Sequence, residues 1–234
     1  MDGPKIMFTI PLFGGIAVTE TVTNSWLLIV VVFILCKFLT SNLQKIPKGK
    51  QVLAEKYVTM ITGLVKETMG EKKLHYAPYI GTLMIFSALG SLMSLTGLRP
   101  VTGDLNTTVA WAVVTFVLIQ MTKIKANGFL GYLKSFADPF PVMLPINIVS
   151  ELATPVSLSF RHFGNIAAGT VITSLLYTAL AALTNIVFRG FMPVPIFQLG
   201  IPAVLSIYFD LFTGFMQAFI FSMLTMAFIS NAAE

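Results

Sequence analysis

Two apolar segments of this chain are too long for the membrane they would have to cross. Residues 144–183 and 196–230 run with only four ionisable side chains between them, Glu151, Arg161, His162 and Asp210. As helices rising about 1.5 Å per residue they reach roughly 50 to 60 Å, against a hydrocarbon core of about 30 Å. Ordinary tilts of about 20° do not absorb that excess. The lengths therefore predict two strongly inclined helices packed as a hairpin, with bends at Pro155 or Pro202.

The rest of the chain reads as a frame around that hairpin. Only 11% of the residues are charged and 56% are hydrophobic, where a soluble domain carries about 25% charged residues. Residues 24–40 form a first span, with Lys37 placed where its long side chain can snorkel to the interface. Residues 79–98 and 107–121 form a second hairpin of spans. Between them and the first span, residues 49–69 place Val52, Leu53, Tyr57, Met60, Ile61, Leu64 and Val65 at helical spacing among charged neighbours. That pattern predicts an amphipathic helix on the membrane surface. Asp138-Pro139-Phe140-Pro141 breaks any helix before the chain re-enters the bilayer. The apolar run in residues 7–18 is too short to span and contains Pro11, Gly14 and Gly15, so residues 1–23 read as an external N-terminus, with a cleaved leader as the alternative. The expected fold is all-α, a single membrane domain over 1–234 with about five membrane-embedded helices plus one amphipathic surface helix.

Charge fixes an orientation and excludes several functions. The formal net charge is +5, yet no basic stripe with interleaved aromatic residues offers a nucleic-acid face. Lys45, Lys48, Lys50, Lys56, Lys66, Lys72, Lys73, Lys123, Lys125 and Lys134 fall in connections on one side of the membrane, against Lys5, Arg99 and Arg189 on the other. Five crossings then put the N-terminus outside and the C-terminus in the cytoplasm. The single cysteine, Cys36, has no partner for an intramolecular disulfide, and no cluster of metal ligands or cofactor motif is visible.

The ionisable residues within the long segments are the functional candidates, because a charge near the bilayer centre costs on the order of 2.5 to 3.5 kcal/mol. Ser150, Thr154, Ser157, Arg161 and Asn165 follow at spacings that put them on one helix face, with Arg161 at the heart of the stripe. Glu151 and His162 share a second line, about 80 to 100° around the helix, suited to an access path. Ser206, Asp210, Thr213 and Gln217 make a matching stripe on the other long helix, and antiparallel packing could join the two stripes. Interhelical polar pairing that merely holds the hairpin together, worth roughly 0.6 to 2 kcal/mol per contact, is the competing account. Gly164, Ala167, Ala168 and Gly169 follow the arginine directly, leaving a surface that admits a close helix from this chain or from another.

The run Pro155-Val156-Ser157-Leu158-Ser159-Phe160-Arg161-His162-Phe163-Gly164-Asn165 resembles the signature of ATP synthase subunit a. Gln217-Ala218-Phe219-Ile220-Phe221 with Leu224-Thr225 is similar to that family's C-terminal signature, and Asp104-Leu105-Asn106-Thr107-Thr108 to its Asp-x-Asn-x-Thr stretch. The three motifs occur in the family's order and cover about half of the chain. Their presence implies a stator subunit of the bacterial F-type membrane sector, in the inner membrane, that holds two offset half-channels. A ring of c subunits would carry one buried carboxylate per step past Arg161, with peripheral-stalk b subunits alongside and the F1 sector as an indirect partner. Asn165 would support the arginine, while Glu151, Asp210 and Gln217 would belong to the access paths, together with Ser157, Ser206, Thr213 and His162. Three positions depart from the family pattern: His162 stands where leucine is usual, Thr170 where an acid or histidine is common, and Asp210 where histidine or glutamate is frequent.

A secondary transporter or channel with an intramembrane Arg/Asp/Glu site is the main rival, but no internal repeat with matching helix breaks supports it. A membrane enzyme would need a nucleophile beside a base, a zinc motif or a phosphate-cradling loop, and none is present.

Overall fold

A computed structural model describes residues 5–11, 15–138, 140–188, 197–198, 205 and 207–232. Its order is β1 (Ile6–Ile10), β2 (Ile16–Thr19), α1 (Glu20–Thr40), α2 (Lys50–Met69), α3 (Ala77–Leu92), α4 (Leu105–Ser135), α5 (Leu144–Phe188) and α6 (Thr213–Asn231). A π-helical segment, Ile207–Phe212, leads directly into α6. Five of these stretches are long and apolar enough to cross a membrane, which makes this a multi-pass, all-α membrane protein.

The two strands form a small antiparallel hairpin at the N-terminus, with Ile10 opposite Ile16, in a segment whose sequence suggested only an interfacial tail. Glu20 N donates to Lys5 O at 2.9 Å, so the hairpin feeds straight into α1. On α1, Leu28 and Val32 pack against Met93 and Val101, and Asn24 Nδ2 donates to Arg99 O at 3.0 Å, tying the helix to the α3–α4 connection. Most of the remaining α1 side chains, among them Phe33, Ile34 and Phe38, are exposed, as lipid contact allows.

The amphipathic helix α2 closes one end of the bundle. Ile61, Val65 and Met69, four residues apart, bury themselves against Ala77 and Ile80 of α3, Ile119 of α4 and Met226 and Ile229 of α6. Its apolar face is thus divided: Ile61, Val65 and Met69 meet protein, while Val52, Leu53 and Met60 stay exposed, a division that helical periodicity alone could not give. Lys73, just after α2, donates to Ser230 O at 3.0 Å in the last turn of α6, where a cation is favoured by the helix dipole.

Helix α3 is shorter than the 79–98 expected for it and gives way to 3-10 turns at Met93–Thr96 and Val101–Gly103. Asp104 caps α4 by accepting from Asn106 N at 3.0 Å. Helix α4 continues well past residue 121, through Lys123 and Lys125, with a break in its geometry at Gly128 (φ 69°), a backbone conformation suited to glycine. Helix α5 runs unbroken over 45 residues through Pro155, a length of roughly 65 Å that a bilayer core of about 30 Å can accommodate only at a steep incline. Pro202 lies outside the described residues. Among the described residues the most extensive helix contacts are α3 with α6 and α4 with α5, so the described part of the structure has α5 leaning on α4 more than on α6. Gly214 lets α6 approach α3 closely: a Cβ there would stand 3.1 Å from Ser91 Cβ.

Candidate functional site

Helix α5 carries most of the site, and its two faces have different surroundings. Ser150, Ser157, Arg161 and Asn165 are exposed and Thr154 is half-buried, along one face as their spacing requires. A groove of about 210 Å³ runs beside them, lined by Ser150, Thr154, Ser157 and Arg161 on α5 and by Leu224 and Phe228 on α6. Among the described residues no carboxylate pairs with Arg161; the ion pairs are Lys66–Glu71 and Lys123–Glu151. Beyond the arginine, a Cβ added at Gly164 or Gly169 would meet nothing within 4 Å. Among the described residues, no other element of the chain fills this small-residue surface.

The second line on α5, Glu151 and His162, turns into the protein. Glu151 receives hydrogen bonds from Lys123 Nζ (2.6 and 2.7 Å) and from Gln120 Nε2 (2.7 Å), all from α4. His162 is only 1% exposed. Its Nε2 lies 3.4 Å from Ser87 Oγ on α3, and its ring packs edge-on to Phe221 and Trp111 at centroid distances of 5.3 and 6.1 Å. Among the described residues, its Nδ1 has no hydrogen-bond partner. The sequence suggested a water-filled path along this line; at His162 the described neighbours are Ser87, Trp111 and Phe221, closely packed.

The polar residues before and at the start of α6 divide in the same way. Asp210 sits in the π-helical segment and accepts from Ser94 Oγ at 3.1 Å, so its described partner is the end of α3 and not the arginine stripe. Gln217 is buried and shares a narrow crevice with Arg161, His162, Leu158 and Phe221. Thr213 donates to Tyr208 O at 3.3 Å, across the π turn, and Ser206 lies outside the described residues. A π turn holds one residue more than an α turn, so the four-three-four spacing that aligned these residues in sequence does not hold across it. The two stripes meet at Gln217, while Asp210 faces another helix.

Sequence reasoning missed Ser87, Ser91, Ser94 and Thr102. Ser91 Oγ donates to Ser87 O (2.9 Å) and lies 2.9 Å from Thr102 Oγ1, and Ser94 Oγ donates to Ser91 O (3.1 Å) as well as to Asp210. These hydroxyls link the surroundings of Asp210 to those of His162. The signal that could have found them is the four-three spacing of the serines on an otherwise apolar helix.

The structure thus has an exposed arginine in an apolar helix with small residues after it, both of which lie in the run 155–169, and a buried polar ladder behind it that the motifs did not indicate. The sequence matches the family described as ATP synthase A chain over residues 22–230. This chain belongs to the ATP synthase subunit a family. Among curated relatives it is 33% identical to the Propionigenium modestum protein named "ATP synthase subunit a, sodium ion specific", over 99% of this chain and 86% of that one. It is also 33% identical to ATP synthase subunit a of Moorella thermoacetica, over 93% of this chain and 92% of the relative. The Geobacter sulfurreducens subunit a is 34% identical over 96% and 92%. The chain is accordingly a membrane-sector subunit of an F-type ATP synthase, in ATP synthesis and ion transport, and part of a complex with a ring and other subunits. Against the subunit a pattern, His162 fills the core between α3 and α6, and Thr170 donates to Ala167 O at 2.8 Å within its own helix.

Proposed function

We propose that this chain is the ion-translocating stator of its complex, with two half-channels that meet at Arg161 and a c-ring that travels past the exposed face of α5. The observation that carries this reading is an arginine in an apolar span with no carboxylate partner among the described residues of its own chain. A cation at that depth calls for a counter-charge, and the ring's carboxylates supply one in turn. A guanidinium suits the task because it stays protonated whatever the local proton concentration. It attracts each incoming carboxylate, favours release of the ion that the carboxylate carries, and blocks direct passage between the half-channels. Asn165, exposed one turn away, supports the arginine, and the uncovered surface at Gly164 and Gly169 leaves room for ring helices.

The groove along Ser150, Thr154 and Ser157 is assigned to one half-channel, and Asp210, Ser94 and the hydroxyls behind them to the other. Gln217 and His162 lie between the second path and the arginine. Lys and Arg distribution puts the N-terminus outside and the C-terminus in the cytoplasm, with peripheral-stalk b subunits and the F1 sector as further partners. The driving force is adequate, since one elementary charge moving through 100 mV releases about 2.3 kcal/mol.

The decisive experiment is ATP-driven ion pumping by the reconstituted complex with Arg161→Ala. Loss of pumping in an assembled complex supports the assignment; pumping at the wild-type rate overturns it. The same assay with and without Na⁺, in the presence of a protonophore, identifies the coupling ion. The sodium-specific name of the Propionigenium modestum relative makes that the first comparison to run.

A further inference from the structure

Helix α5, which carries His162, and the three helices around it repeat one vertical order of side chains. On α3 it is Tyr79, Leu83, Ser87; on α4, running the other way, it is Thr115, Ala112, Thr108. On α6 it is Thr225, Phe221, Gln217, and on α5 Leu158 lies one turn before His162 and two turns after Glu151. Each helix thus presents a polar group, an apolar group and a polar group at intervals of a turn or two. The middle members are in mutual contact: Leu83, Ala112, Leu158 and Phe221 are all buried and form one cluster.

Both sides of this cluster are polar. On one side Ser87 Oγ meets His162 Nε2, and His162 Nδ1 has no partner among the described residues. On the other, Tyr79 OH bonds Thr115 Oγ1 at 3.0 Å and Tyr76 OH bonds Thr122 Oγ1 at 2.9 Å. Gln120 Oε1 and Thr225 Oγ1 are also buried on that side without partners. A bundle core that only had to be stable would not need polar groups to flank one apolar layer on every helix, because each buried hydroxyl without a good partner costs stability. Leu158 and Phe221 also line the crevice beneath Arg161, so the layer stands at the arginine's level.

We propose that Leu83, Ala112, Leu158 and Phe221 form a dry insulating layer that separates two polar compartments inside the bundle and prevents ions from crossing the subunit without the ring. Arg161 guards the outer face of α5, and this layer guards the interior behind it. The mechanism is that of a hydrophobic constriction: an ion or a water file finds no polar partner at that level. The proposal deepens the ion-translocation reading and rests on it.

The test uses the complete complex in vesicles, with the ring carboxylate replaced by its amide so that rotation carries no ions. An imposed Na⁺ or H⁺ gradient is followed without nucleotide. Leu83→Ser combined with Ala112→Ser, which lays hydroxyls across the layer, is expected to speed gradient loss by about tenfold or more, a lowered barrier acting exponentially on the rate. Phe221→Leu, which keeps the layer apolar, should remain as tight as the parent. Should the double variant fail to assemble, Ala112→Ser alone carries the test, since it adds one oxygen at a buried position and should leak measurably. Assembled serine variants that hold the gradient as well as the parent overturn the proposal. Failure of the ion-translocation reading would show separately, as wild-type pumping in Arg161→Ala.

Discussion

The two faces of α5 have opposite relations to the rest of the chain. Glu151 and His162, on the inward face, meet α4 and α3, while Arg161 and Asn165, on the outward face, stay exposed. Of the two charges on α5, the carboxylate pairs with Lys123 from within, while the guanidinium has no carboxylate partner among the described residues; the proposed function gives it one outside the chain. In the proposed reading, the direction a charge faces separates a structural from a functional role. An inward ion pair holds α4 against α5; an outward cation has no such duty.

Removing the outward charge should have the largest effect. Arg161→Ala is expected to leave the protein inserted and to abolish ATP-driven pumping in vesicles. Arg161→Lys should fail largely too, because a compact ammonium lacks the planar fork of the guanidinium. Near-normal pumping in either would erase the contrast between the faces. Asp210→Asn should come next, slowing transport several-fold without stopping it, measured as initial pumping rate at fixed ATP. An unchanged rate removes Asp210 from the path.

A third measurement sharpens the inward half of the comparison. Glu151→Gln should slow transport modestly, and Lys123→Met should do the same. If Glu151 acts through its pairing, the double variant will be no worse than either single one, whereas independent groups add to within about 0.5 kcal/mol. Additive losses would return Glu151 to the ion path itself.

The smallest effect expected is on stability. Tyr57 donates to Gly81 O at 2.6 Å, and burial, aided by the charge of Cys36, pushes its hydroxyl up to about 12. Because the folded pKa lies above the unfolded value of about 10, the contribution is intact below pH 10 and is lost as pH rises from 10 through 12. Tyr57→Phe should cost about 1 kcal/mol and flatten that alkaline dependence, read from thermal unfolding in detergent. A Tyr57→Phe protein with the parent's alkaline profile would show that the hydroxyl does not titrate with unfolding.

Hydropathy made the spans legible, as it did the excess length of α5, because both follow from runs of side chains along one segment. The N-terminal hairpin was not legible: two strands of five and four residues around Gly14 and Gly15 look like an interfacial tail until they are paired. Nor was the reach of α4 to Ser135, since lysines near 123 mark the edge of the hydrocarbon and not the end of a helix. Within the site, periodicity gave the outward stripe. It could not give Lys123, Ser87 or Ser94, which come from other helices whose rotation no single helix specifies. The Asp210 alignment failed for a local reason, the π turn that changes the residue count per turn.

The incline that its length forces on α5 turns the outward stripe into a ramp. Ser150 and Asn165 are separated by roughly 22 Å along the helix axis, so on a slanted rod they differ both in height and in lateral position. A partner that moves sideways at one depth would therefore face only one short part of the stripe, and the residues above and below that part would stand to either side of its track.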